Sequence, residues 1–420
     1  MREARVSVTV SKVLSGLVLM MALMAGSATG ETSEAQIAPA VDLRPFLEQV
    51  RPEALRAGVS AATFDRATRG LEADPEVLMR AASQPEFVKP VWDYLSGLVS
   101  DARVAAGQQR LAEYGDTLAA IERAYGVDRH VVLAIWGVES NFGTAQGERN
   151  VIRSLATLAA GDERRSAFWR REFIAALRIV ERGDIAPERM TGSWAGAMGH
   201  TQFMPTTYHD RAADFDGDGR RDIWDSVPDG LASTANYLKA FGWRLEDPWG
   251  FEVVLPEGFD YSLSAPGQAK PASFWRRIGV SRPGGVAVRD TVSPLQLILP
   301  AGAQGPAFLV TGNFKAILRY NPAEAYALAV GHLADRIAGA EPIQGPWPES
   351  DRPLARAERE ELQKRLAERG LDTGAPDGII GTQSRAAIRA FQRTVGLPED
   401  GYASLRLLDL LRQTGGSTRE

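Results

Sequence analysis

The 420-residue chain contains no cysteine. That absence excludes disulfides, cysteine-ligated zinc, a nucleophilic thiol and an acylated N-terminal cysteine. Histidine is nearly as scarce, with four in the chain, so a histidine-rich metal site is not expected. Net positive charge is lacking as well. Lys and Arg total 48 against 53 Asp and Glu, a formal charge of -5 that gives no support for nucleic-acid binding. Any acidic polymer would have to be held by specific contacts. Beyond the N-terminus no segment has the roughly 20 apolar residues that a spanning helix needs. The G-x-S-x-G elbow, the P-loop and H-E-x-x-H are also missing.

What is present begins with MREARVSVTVSK, carrying Arg2, Arg5 and Lys12, then a nearly unbroken apolar run from Val13 to Ala25 and the small residues GSATG. This is a secretory signal pattern over residues 1–30, with an uncleaved anchor as the rival reading. The protein is therefore expected to be exported and soluble in its compartment, with no lipid anchor. Residues 31–41 read as a spacer.

The length predicts two or three domains. Residues 42–338 form the larger unit and are mostly helical in pattern. In DTLAAIERAYG, Asp116 is the expected N-cap, Leu118, Ile121 and Tyr125 recur on one face, and Gly126 ends the run. Asp128 is the expected cap of HVVLAIWGVE. Phe173, Leu177 and Val180 make another stripe. GFEVVLP, LQLILP and FLVTGNF then mark a small β-rich region at about 248–312, and Tyr326, Val330 and Leu333 share a later helical face. Residues 339–353, with AEPIQGPWPESDRP, read as a Pro-rich linker. Residues 354–413 form a small helical unit, with Thr382 as an expected N-cap and Ala387, Ile388, Phe391 and Val395 facing inward. The expected fold class is mainly α (α+β), a helical core with a β-rich insertion and a C-terminal helical domain.

Three groups could carry chemistry. Glu139 ends an apolar helical run, with Val132, Ile135 and Trp136 on its face. Burial there raises a carboxyl pKa and lets the acid protonate a leaving oxygen; the alternative is a Glu bonded to backbone or turned to solvent. GSWAGAMGHTQFMPTTY mixes close-approach glycines with polar Ser193, His200, Thr201, Gln202 and Tyr208 and apolar Trp194, Phe203 and Met204. That mixture suits a sugar, although a packed glycine-rich turn would look the same. DFDGDGRRDIWD places Asp214, Asp216 and Asp218 at positions 1, 3 and 5 of a calcium loop, Gly219 at 6, the Arg220 carbonyl at 7, Asp222 at 9 and Asp225 at 12. Asp225 is shorter than the usual Glu, so Asp229 is a second candidate to close the loop. A solvated acidic turn is the rival reading.

Taken in order, GVESNFG, GSWAGAMGHTQFMP, DFDGDGRRDIWD, ANYLKAFGW and RYNPAEAYALAV resemble the lytic murein transglycosylases of the B type, over about residues 42–338. The C-terminal LQKRL, DGIIGTQSRAAIRAFQ and GLPEDG are similar to the three-helix peptidoglycan-binding domain. The resemblance implies a lysozyme-like core acting on peptidoglycan glycan strands, with Glu139 as the single acid/base. It implies cleavage of the β-1,4 bond between N-acetylmuramic acid and N-acetylglucosamine to leave a 1,6-anhydro end. It also implies that Ser193, Gln202, Phe203, Tyr237, Tyr320, Asn321 and Tyr326 line the sugar cleft. No cofactor is needed for catalysis, and the calcium would be structural. His200 departs from the aromatic common at its position. A monomer is expected, with complexes among cell-wall enzymes left open. A water-using hydrolase and a non-catalytic wall-binding scaffold are the rival functions.

Overall fold

The computed structural model describes residues 41–82 and 89–413. The expected signal segment and most of the spacer lie outside the described residues.

Helices dominate, and the described residues pack into four hydrophobic clusters. The first is built around the helices Arg129–Ser140 and Glu324–Ile337, the second around Val151–Gly161 and Ser166–Glu181. The stripes expected from sequence face these cores: Phe173, Leu177, Val180, Tyr326, Val330 and Leu333 are all buried. Tyr237 and Tyr320 pack against both clusters, so they mark the seam between them.

The third cluster underlies the β-rich region. Its strands Gly250–Val253, Ala307–Val310 and Gln296–Ile298 form an antiparallel sheet with Ala307–Val310 in the centre, fully buried along its length. A central strand buried on both faces explains why AFLV reads as a continuous apolar run. The fourth cluster belongs to the C-terminal helices Arg356–Ala367, Thr382–Thr394 and Leu405–Gln413.

Two expected caps are displaced, Asp116 by two residues and Thr382 by one. The helix Gly115–Tyr125 starts behind Tyr114, and Asp116 sits inside its first turn, where a carboxylate still favours the helix dipole. Thr382 is likewise the first helical residue, behind Gly381. Val395 does not face inward; it follows the helix end and is exposed. Asp128 does cap its helix, accepting from the His130 N–H at 2.7 Å.

Candidate active site

The helix Arg129–Ser140 ends in a sharp reversal that puts Glu139 in the seam. Asn141, Phe142 and Gly143 all take left-handed backbone (φ 48°, 56° and 84°), which is uncommon for a bulky residue such as Phe142. The turn folds the Phe142 ring back onto the helix at Gly137, where a Cβ would lie 2.6 Å from the ring. The Ser140 hydroxyl locks it, donating to the His200 carbonyl at 2.8 Å and accepting from the Gly143 N–H at 3.2 Å. Strain of this kind, held by packing on several sides, is common at functional sites.

Glu139 is half-buried, and desolvation pushes its pKa to about 7. The Tyr326 phenol donates to its Oε1 at 2.5 Å and pulls the pKa the other way, but burial wins. No carboxylate is among the groups that shift Glu139 among the described residues. Other buried acids are engaged elsewhere. Glu172 accepts from both the N–H and the hydroxyl of Thr206, and Asp335, also raised to about 7 by burial, accepts from Trp249 Nε1 at 3.0 Å.

The expected site residues divide by what they touch, and among them Tyr326 and Tyr320 interact with Glu139. Phe203, Tyr237 and Tyr320 form one aromatic group, with ring centroids 4.8 to 5.9 Å apart. Tyr320 donates to the Thr201 carbonyl at 2.7 Å, and Tyr237 to the Arg319 carbonyl at 2.5 Å. Burial and the charge of Glu139 hold the phenols of both Tyr320 and Tyr326 neutral. Gln202 adopts left-handed backbone (φ 50°) and donates to the carbonyls of Gln146 and Gly199, both at 2.9 Å, while its buried Oε1 has no donor among the described residues. Ser193 and Asn321 serve their own turns: Ser193 Oγ accepts from the Ala197 N–H, and Asn321 Oδ1 from the Ala323 N–H.

Two polar residues of the glycine-rich stretch belong to the core instead. His200 Nδ1 accepts from Trp136 Nε1 at 3.0 Å, and burial pushes the imidazole down to about 4. Tyr208 is fully buried and donates to the Arg221 carbonyl at 2.6 Å. Sequence reading missed Tyr94, on the helix Val91–Leu98. Its phenol is pushed up to about 12 by burial and by the charge of Glu139. VWDYLSGL carries no motif that could have singled it out.

In the acidic loop, Asp214, Asp216 and Asp229 each bring a carboxylate oxygen within 4.8 Å of the others. Asp218 instead pairs with Arg220 at 2.9 Å, and Asp225 pairs with Arg189 across the surface. Of the two candidates for closing the loop, Asp229 is the one whose carboxylate lies in this cluster. Its buried carboxylate also accepts from the N–H groups of Phe215, Asp216 and Asp222. Carboxylate oxygens are the ligand type that calcium takes, and these three would supply part of a shell of about six to eight.

Residues 42–335 match the family described as the transglycosylase SLT domain. The chain belongs to that family. Residues 355–411 match the putative peptidoglycan binding domain. Among solved structures, this SLT-family chain is similar to SltB3 from Pseudomonas aeruginosa in complex with NAG-anhNAM-pentapeptide. The two are 52% identical with a TM-score of 0.83, covering 88% of this chain and 99% of that one. It is also similar to the lytic transglycosylase Slt35 of Escherichia coli in complex with calcium, at 26% identity and a TM-score of 0.59, covering 74% and 98%. Membrane-bound lytic murein transglycosylase B of Escherichia coli (strain K12) is 34% identical over 233 residues, 54% of this chain and 61% of that relative's length.

Proposed function

We propose that the protein is a peptidoglycan lytic transglycosylase that cleaves the β-1,4 MurNAc–GlcNAc bond without water and leaves 1,6-anhydroMurNAc ends. The observation that carries this reading is that Glu139, a carboxyl pushed to about 7 by burial, has a phenol as its hydrogen-bonding partner and no carboxylate acting on it among the described residues. Ordinary glycosidases place a second carboxylate about 5 to 10 Å away as nucleophile or base. Here the substrate supplies that role. Glu139 gives its proton to the glycosidic oxygen as the bond to the muramic C1 breaks. The carboxylate then takes the C6 hydroxyl proton as that oxygen bonds to C1, so Glu139 ends protonated as it began. SltB3, the 52% identical relative, is known in complex with both NAG-NAM- and NAG-anhNAM-pentapeptide, which supports this substrate class.

Tyr237 and Tyr320 supply flat surface for sugar faces, with the buried Phe203 packed behind them, and Gln202 Oε1, which has no donor among the described residues, is a hydrogen-bond acceptor for a sugar hydroxyl or amide. Ser193 and Asn321 hold the loops that bring these groups together. Asp214, Asp216 and Asp229 would hold a calcium ion that knits the loop without entering the chemistry. The C-terminal domain would bind the wall itself. Export to the periplasm fits such a substrate, and no helix among the described residues is long and apolar enough to cross a membrane.

Mass spectrometry of digested sacculi tests the reaction. Products one water lighter than reducing ends are expected; reducing ends alone would make the protein a hydrolase.

A further inference from the structure

The segment between the two matched domains is not a free tether. In the strand Gly250–Val253, Glu252 accepts from the backbone N–H of Gln344 at 2.9 Å and of Gly345 at 2.6 Å, one bond to each carboxylate oxygen. Bonds from backbone to a charged acceptor are among the stronger ones. Farther along, the Trp347 ring packs against the Trp92 ring, with centroids 6.2 Å apart and planes at 40°. Ile343 and Trp347 both rest on the main core. Pro346 and Pro348 flank Trp347, which lowers the entropy lost in presenting its ring.

Trp92 lies on the helix Val91–Leu98, which has eight residues, a glycine inside and Leu95 as its one buried residue. A helix so short has little stability of its own and holds its place by packing. The same helix carries Tyr94, which interacts electrostatically with both Glu139 and Tyr326. Residues two apart point to different sides of a helix, so Trp347 does not reach the cleft through Trp92. Its grip acts on the helix as a body.

We propose that Trp347 is a positioning residue that clamps Trp92 and so holds the helix Val91–Leu98, with Tyr94, against the Glu139 site. The interdomain segment is then a strap on the cleft, fastened at Glu252 on one side and at Trp92 on the other. The catalytic half of this idea rests on Glu139 being the acid.

Full-length protein carrying Trp347→Ala and Trp347→Phe provides the test. In Trp347→Ala, amide exchange in residues 91–98 should rise about tenfold while the helix Ser166–Glu181 stays protected. Turnover of soluble glycans should fall about tenfold, more in kcat than in KM. Glu139 is faced by Tyr326, Tyr320 and Tyr94, and displacing Tyr94 admits water. The alkaline limb of the pH–rate profile should therefore move down by about half a unit. Trp347→Phe should restore most of both readouts. Exchange in 91–98 equal to wild type, a rise spread evenly over the chain, or a slower rate with an unmoved limb would each overturn the strap. Failure of the functional reading would look different: wild-type protein would release no anhydro ends, whatever the exchange data showed.

Discussion

Tyr326 and Glu139 stand 187 residues apart in sequence, yet the phenol of one donates a 2.5 Å hydrogen bond to the carboxyl of the other. The bond opposes burial. It stabilises the carboxylate and so lowers a pKa that desolvation raises to about 7. Removing the donor in Tyr326→Phe should therefore raise the pKa of Glu139 further. The alkaline limb of the pH–rate profile should move up by about half a unit to one unit. Turnover should fall by about tenfold or more, because the carboxyl is no longer held in one orientation. A limb that moves down would mean that the phenol chiefly excludes water.

This pairing also shows what sequence can and cannot reveal. Glu139 is legible because it is the one acid on an apolar helical run. Tyr326 is visible only by family resemblance, since nothing local joins it to residue 139. His200 reads as a polar sugar contact from composition, but its ring completes the core against Trp136, because burial depends on the long-range packing of two clusters. Asp116 misses its cap position by two residues and Thr382 by one, a distinction set by backbone dihedrals and not by residue type. The Pro-rich composition of 339–353 likewise says where the chain is irregular. It does not say that Glu252 and Trp92 are waiting for it.

The elevated pKa of Glu139 has a consequence for stability. A carboxyl whose pKa rises from 4.5 to about 7 on folding binds more protons folded than unfolded between those values. Stability should therefore decline as pH climbs through that window, and the cost is complete above it. Each unit corresponds to about 1.4 kcal/mol, and partial exposure discounts the total to roughly 1–2 kcal/mol. Glu139→Gln cannot ionise there. It should unfold at higher urea than wild type at pH 8 and at nearly the same urea at pH 4.5, while losing about a thousandfold or more in turnover. Equal midpoints at pH 8 would show that the carboxyl is better solvated than its surroundings suggest.

The acidic loop makes a prediction that separates its aspartates. Asp214, Asp216 and Asp229 converge, whereas Asp225 faces Arg189. Added calcium should raise the thermal midpoint of the wild-type protein, by about 2.7 kcal/mol of stability at a hundredfold excess over Kd. Asp216→Asn should abolish most of that response, and Asp225→Asn should keep it. Differential scanning fluorimetry with and without a chelator measures both. An equal loss in the two variants would return Asp225 to the ligand set.

The C-terminal domain is fastened to the β-rich region at a second point, and here one missing side chain is decisive. Asp400 Oδ2 accepts from the Ala303 N–H at 2.8 Å, while Oδ1 of the same carboxylate accepts from Gln392 and from the Tyr402 N–H. The approach depends on Gly302, where a Cβ would lie 2.8 Å from Asp400 Oδ2 and 2.9 Å from Tyr402 Cβ. Gly302→Ala therefore meets the neighbouring domain as well as the strain of left-handed backbone (φ 70°). Gly267→Ala is the control, because its φ of 83° carries the same kind of strain with nothing within 4 Å. Both variants should lose about 1 kcal/mol to backbone strain. Gly302→Ala alone should enlarge the radius of gyration in small-angle scattering and expose 339–353 to protease. If the two variants scatter alike, the Asp400 contact does not hold the domains together, and the strap at Glu252 must carry the docking by itself.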